Sequence, residues 1–187
     1  MPADRSHTPN KQAHKDTQAR WTKKGGVSHY GYKNHVNVDD KLKLVTKWTS
    51  TDASVHDSQA FEAVLRSPEE GGANVSADSA YRSDQAEALL AKSGHNSRIH
   101  ERSYRDAPLT EEQKALNKEK SSIRARVEHV FGHMHTALGG MLIRSIGKLR
   151  AKVNIGLMNL TYNMSRVEIL IRKGLVKITG VGTPKMA

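Results

Sequence analysis

Apolar and polar positions first alternate in earnest between residues 29 and 48. Tyr30, Tyr32, Val36 and Val38 point one way, and His29, Lys33, His35 and Asn37 the other, which is the two-residue period of a half-buried strand. Asp39-Asp40-Lys41 reads as a turn, and Leu42, Leu44 and Trp48 mark a returning strand, so this stretch predicts a hairpin. Ahead of it, residues 1–26 carry no apolar period and are broken by Pro2, Pro9, Gly25 and Gly26; they read as a flexible basic lead-in. After the hairpin, Phe61, Val64 and Leu65 mark a helix that runs to Ser67-Pro68, and a Gly71-Gly72 loop ends that unit. Residues 74–77 form a short apolar strand with Asp78 at its C-terminal end. Ser83 is placed to cap the next helix, with Leu89 and Leu90 inward and Gly94 closing it. Residues 97–101 offer one more strand.

Two long helices complete the pattern. Thr110-Glu111-Glu112-Gln113 is a capping box, followed by the apolar stripe Ile123, Val127, Val130 and Met134 and by Gly139-Gly140 as a stop. In the last helix Leu149, Val153, Leu157, Leu160, Met164, Val167 and Ile171 recur at three- and four-residue steps. That stripe suits an intramolecular core or a partner helix, and the core is the expectation. The order of hairpin, helix, strand, helix, strand and long helices predicts an α/β domain with helices against a sheet. It divides into a lead-in over 1–26, a core over 27–138, a helical extension over 139–173 and a tail over 174–187. There is no internal repeat.

Composition narrows the partners. Thirty Lys and Arg against nineteen Asp and Glu give a net charge of +11, so a polyanion, most commonly nucleic acid, is the natural partner. A merely well-solvated surface and a basic RNA-binding structural protein are the rival readings. With no Cys there is no disulfide, no thiolate nucleophile and no Cys-based zinc site, which fits a reducing cytoplasm. The opening Met1-Pro-Ala-Asp-Arg has no apolar export region, and no stretch is long enough to span a membrane.

Two carboxylates stand out as candidate chemistry. Asp78, in Val75-Ser-Ala-Asp-Ser-Ala-Tyr-Arg82, lies where an apolar strand meets a loop, the place where open α/β sheets bind ligands; capping of the following turn is an equally good reading. Glu128 shares a helix face with Arg124 and sits between Val127 and Val130, so it is expected to be half-buried rather than half of an exposed ion pair. In Thr51-Asp-Ala-Ser-Val-His-Asp-Ser58, turn capping outranks catalysis for Asp52 and Asp57. His129 and His133 are four apart, but no third ligand in a familiar arrangement makes zinc the expectation.

Gly31-Tyr-Lys-Asn-His35, the 51–58 segment, Ala77-Asp-Ser-Ala-Tyr-Arg82 and Arg124-Ala-Arg-Val-Glu-His-Val-Phe-Gly-His-Met134 together resemble bacterial insertion-sequence transposases of the DDE class, most closely the insertion-sequence-five group. The resemblance covers roughly residues 20–170. It implies a ribonuclease H-like mixed sheet with flanking helices and an acidic triad that binds two divalent ions, Mg²⁺ or Mn²⁺. Asp78 would be the second catalytic, metal-binding carboxylate and Glu128 the third. Of the group's Y-x2-R-x3-E-x6-K signature, Arg124 and Glu128 match, while Ser121 and His135 occupy the tyrosine and lysine positions. The first aspartate of such enzymes lies on a central strand ahead of Trp21, and nothing in residues 1–26 reads as that strand. The resemblance thus implies a core without its first strand and without the helical DNA-binding region of complete relatives.

The expected activity is metal-dependent DNA strand cleavage and strand transfer, acting on insertion-sequence ends and target DNA at the bacterial nucleoid. A homo-oligomer or a second transposase chain is the expected protein partner. Lys33, Arg82, Arg124, Arg126 and His135 are the candidate DNA contacts, with Lys23, Lys24, Arg144, Lys148, Arg150 and Lys152 in a wider set. The alternative is a non-catalytic basic DNA-binding fragment or regulator. In either case the chain alone is expected neither to cut nor to join DNA.

Overall fold

Three strands lead the chain in a computed structural model that describes residues 14–67, 72–103, 108–140 and 142–177, without the side chain of residue 124. They are β1 (Arg20–Lys24), β2 (Val27–Val38) and β3 (Val45–Asp52), hydrogen-bonded in the order β1-β2-β3. The alternation along 29–48 folds as the expected hairpin: β2 and β3 pair from Tyr32↔Asp52 to Val38↔Val45, with a bulge at Asn37/Val38. Asp39 shapes the turn, its Oδ1 accepting from the amides of Lys41 (3.1 Å) and Leu42 (2.6 Å).

The first difference from the sequence reading is β1, which lies inside the stretch read as a lead-in. It pairs antiparallel with β2 from Lys24↔Val27 to Arg20↔Gly31. Trp21, Tyr30 and both lysines are exposed, so this ribbon has no buried face to imprint an alternation. A short 3-10 turn (Asp57–Ala60) then leads into α1 (Phe61–Val64), far shorter than the helix expected to reach Ser67.

Beyond it β4 (Asn74–Val75), α2 (Asp84–Lys92) and β5 (Asn96–Ser97) form a parallel βαβ unit. The ladder continues past the strands proper. Ala73, Val75 and Ala77 accept in turn from the amides of Asn96 (3.1 Å), Arg98 (2.8 Å) and His100 (3.1 Å), which carries the chain straight to Asp78. Ser83 caps α2 by accepting from the Ala86 amide (3.1 Å), as its position predicts. Phe61, Leu65, Ala86, Leu90 and Ile99 form the core of this part, with Val75, Ala77, Tyr81 and Leu89 against it.

The helix α3 (Glu111–Ala137) opens with the expected capping box: Thr110 Oγ1 accepts from the Gln113 amide (3.2 Å) and Gln113 Oε1 from the Thr110 amide (3.0 Å). Its Val130 and Met134 pack with Val45 and Tyr162 into a second core, flanked by Val36, Val38, Trp48, Phe131 and Leu138.

The last helix, α4 (Lys148–Arg172), lies on β2 and β3 by the face opposite to the one expected. Its buried residues are Ala151, Ile155, Asn159, Tyr162 and Leu170, whereas Leu149, Val153, Leu157, Leu160 and Met164 are all more than half exposed. Asparagines explain the choice. Asn34 and Asn159 exchange amide hydrogen bonds (2.8 and 3.2 Å), and Asn163 takes both the N–H (2.9 Å) and the C=O (2.8 Å) of Val45. Gly156 permits the approach: a Cβ there would stand 2.7 Å from Trp48 Cζ2. A face of Asn, Gly and Tyr reads as polar in sequence yet is the one that satisfies the strands.

The five described strands thus fall into two sheets, β1-β2-β3 and β4-β5, rather than one. The α/β class is as expected. Among the described residues no helix is long and apolar enough to cross a membrane.

Candidate active site

The two small sheets face each other across a cleft of about 670 Å³. Its walls are the end of β2 (Val36, Asn37, Val38), the Asp39-Asp40-Lys41 turn, the β4 ladder from Ala73 to Asp78, and one side of α3. Asp78 and Glu128 both line it. The structure therefore brings the two singled-out carboxylates to a single cavity, one from each wall.

Asp78 stands at the end of the parallel ladder. Its Oδ1 accepts from the amide of Ser79 (2.7 Å), which caps a 3-10 turn at Ser79–Tyr81, so strand-end placement and capping are both true of it. The Tyr81 hydroxyl, on a ring tilted 48° against Phe61 with centroids 5.5 Å apart, is pushed up to about 12 by burial, with the charges of Asp57 and Asp78 adding to the shift.

Glu128 is exposed, against the expectation of half-burial. The inward stripe of α3 is Ile123, Val127, Val130, Phe131 and Met134, and Glu128 lies beside that stripe rather than within it. It also borders a second groove, between α3 and α4, with His129, His133 and Arg166. His133 is engaged there by Ser165 Oγ (3.2 Å) and lies edge-on to Tyr162.

What fixes one wall against the other is a set of bonds that the sequence reading did not pick out. His100 Nδ1 donates to the carbonyl of Ala77 (3.0 Å), next to Asp78, while its Nε2 meets Ser121 Oγ of α3 (3.1 Å). Asn117 clasps the backbone of Glu101 with both amide atoms (2.9 and 3.0 Å), and buried Lys120 donates to Ile99 O (2.8 Å). Asn117, Ser121 and Glu128 lie on one polar stripe of α3 at helical spacing. That stripe was the available signal. His95 was missed as well: it is buried in the cleft wall, and neither ring nitrogen has a hydrogen-bond partner among the described residues.

The candidate DNA contacts divide by what already holds them. Lys33 Nζ donates to Val55 O (2.7 Å) and pairs with Asp57 (3.1 Å); Arg82 joins Glu101 (2.8 Å) and Glu87 (3.5 Å); Arg126 holds the Asp40 carbonyl (3.1 Å). His135 is exposed in the last turn of α3, and the side chain of Arg124 lies outside the described residues. Lys23, Lys24, Arg144, Lys148, Arg150 and Lys152 are exposed. Asp52 is turned inward on its own loop, where the Ser54 hydroxyl and amide, with Arg20 and Lys148 nearby, hold it below the usual carboxylate range against the opposing effect of burial.

A family model for the transposase DDE domain matches residues 3–164. The chain belongs to the DDE transposase family. No solved structure matches it. The mixed α/β character of the chain is consistent with that family, which generally uses divalent metal ions and whose membership implies a DNA substrate. The chain's described residues do not by themselves fit such ions. No group of three His, Asp or Glu side chains among them is placed to hold a metal.

Proposed function

We propose that this transposase domain works in the transposition of a bacterial insertion sequence of the insertion-sequence-five group, as a ribonuclease H-like core. In this reading Asp78 and Glu128 are two of the acids at which DNA strands are cut and joined. The observation that carries it is the placement of both carboxylates on one cleft, from walls with separate cores.

The cleft is also the place for a central strand. It runs between the ends of β2 and β4, and a strand laid there joins the two sheets, covers exposed edge groups and offers its backbone to the nitrogens of His95. A carboxylate on that strand completes the acid set, with a second transposase chain as its source. Mg²⁺ or Mn²⁺ would favour such oxygen donors and, if held there, would supply charge stabilisation for cutting a phosphodiester. Asp78 and Glu128 contribute two fixed anionic donors, and His100 and Asn117 hold their walls in register. DNA is held through its phosphates, chiefly by Lys23, Lys24, Lys148, Arg150, Lys152 and His135, with Arg124. Lys33, Arg82 and Arg126 add to the positive field from their internal pairs.

Paramagnetic resonance of Mn²⁺ titrated into the chain tests the shared site. We expect weak binding that either Asp78→Ala or Glu128→Ala reduces about tenfold, the loss of one of a small set of charged ligands. Binding unchanged in one variant would separate the two acids. Strand-cleavage assays with Mg²⁺ or Mn²⁺ should show no cutting by the chain alone; cutting lost in both variants would show that no added strand is needed.

A second reading, a non-catalytic DNA-binding regulator, is favoured by the lack of a three-ligand group among the described residues. It predicts DNA affinity indifferent to Mn²⁺ and to Asp78. Both readings predict affinity that falls steeply with salt.

A further inference from the structure

We propose that the β1–β2 ribbon is a stacking site for an unpaired nucleobase, with Trp21 and Tyr30 as its platform and Lys23 as its phosphate contact. This rests on the reading that the chain acts on DNA, and it names the part of the DNA that the ribbon takes.

The ribbon closes through Gly25 and Gly26, with φ of +56° and +83°, as a two-residue hairpin turn with both centres left-handed requires. Trp21 stands directly opposite Tyr30, so both rings share a face; their centroids are 5.0 Å apart with the planes at 46°. Trp21 is 65% and Tyr30 41% exposed. Rings of this size ordinarily bury most of their area in a core, and here the ribbon carries them away from both cores. Lys23, opposite Ser28, is two residues from Trp21 and therefore on the same face, roughly 7 Å nearer the tip.

Charge selects the occupant. Residues 17–38 contain no Asp or Glu, and they carry Arg20, Lys23, Lys24 and Lys33. An apolar protein partner seated on the rings would have to desolvate Lys23 beside them. A nucleotide satisfies both features at once, base on ring and phosphate on ammonium. A base inside a duplex has no free ring face, so the ligand is an unpaired or extruded one.

The platform is also fixed in place. Tyr30 donates its hydroxyl to the Asp16 carbonyl, the Tyr32 hydroxyl meets both Asp16 carboxylate oxygens (3.0 Å each), and Asp16 Oδ2 accepts from the Gly147 amide at the head of α4 (2.9 Å). The ribbon root is thus tied to the domain that bears Asp78 and Glu128, and little ordering is left for binding to supply.

The chain has two tryptophans, and Trp48 packs on Gly156. In Trp48→Phe, Trp21 is the sole indole emitter. That protein is titrated with a labelled duplex bearing an oligothymidine tail and with the blunt duplex; DNA anisotropy reads binding and Trp21 emission reads stacking. The tailed DNA should quench Trp21 and the blunt duplex should not. Trp21→Leu should weaken tailed DNA about tenfold, blunt duplex less than about twofold, and Trp21→Phe should restore most of the loss. Tailed DNA bound with Trp21 emission unchanged, or equal loss on both DNAs, overturns the stacking site and leaves the DNA reading standing. No anisotropy change with either DNA overturns both.

Discussion

On the Asp78 wall, Phe61, Leu65, Leu90 and Ile99 are sealed by charge: Arg82 and Lys120 both reach Glu101, at 2.8 and 3.6 Å. On the Glu128 wall, Val45, Val130, Met134 and Tyr162 are sealed by neutral amides, with Asn159 on Asn34 and Asn163 on the Val45 backbone. A charged seal demands that each ion keep its partner, since removing one leaves the other stranded. An amide seal is tolerant of charge but strict in geometry, because each asparagine must meet a particular donor and acceptor. The carboxylate pair belongs to neither core. Bonds between the walls help set its spacing, among them those of His100, Asn117 and Lys120 and the Lys47–Leu65, Arg98–Glu119 and Arg66–Asp39 contacts.

The largest effects should come from the cores themselves. Leu90→Ala and Met134→Ala should each cost about 2–5 kcal/mol in urea denaturation. If the walls are energetically separate, the double variant should be additive within about 0.5 kcal/mol. A larger coupling would merge them into one unit. Next comes the close approach on the amide side. Gly156→Leu should cost about 1–3 kcal/mol by pushing the α4 backbone off Trp48, with a shift in Trp48 emission, and it should leave the Asp78 wall's hydrogen exchange unchanged.

A smaller effect is expected between the walls. Ser121→Ala removes the partner of His100 Nε2 and should cost about 0.5–1.5 kcal/mol. Its signature is faster amide exchange at His100, which bonds to Ala77. Exchange unchanged there would mean that Asn117 and Lys120 suffice as the link.

The smallest effect is a pH dependence confined to the amide wall. Burial holds His35 below the ordinary imidazole value; Asp57 opposes this and Lys33 adds to it. The unfolded imidazole titrates near 6.5, so the unfolded chain binds the proton first. His35 therefore contributes stability that is fully present above pH 6.5 and declines as pH falls from there toward its lower folded value. His35→Gln should flatten the urea midpoint between pH 7.5 and 5.5, roughly the span over which an imidazole titrates. A profile as steep as the parent's would assign the dependence to another group.

How much of this was legible in the sequence follows the range of the forces involved. The β2–β3 hairpin, the Thr110 capping box, the Ser83 cap and the strand-end position of Asp78 are local, written within a few residues, and the structure shows all four. The seating of α4 was not legible. Its apolar stripe pointed inward by periodicity, yet asparagine bonds to strands more than a hundred residues away turned it outward. Glu128 was misjudged for a related reason, since apolar neighbours in sequence do not fix which arc of a helix is covered. Lys33 and Arg126 read as candidate DNA contacts because their partners lie 22 and 86 positions away, and Arg82 because its closest partner, Glu101, lies 19 away. β1 escaped notice because a ribbon exposed on both faces leaves no apolar rhythm.

Asn34 and Asn159 are separated by 125 positions. During synthesis at about 5–20 residues per second, the hairpin leaves the ribosome on the order of 6–25 s before the helix that covers it. For that interval Trp48 and Val45 lack the helix that covers them. Apolar surface left open in this way is what holding chaperones recognise, so the yield of folded chain should depend on translation speed after residue 52 as well as on the final stability of the fold.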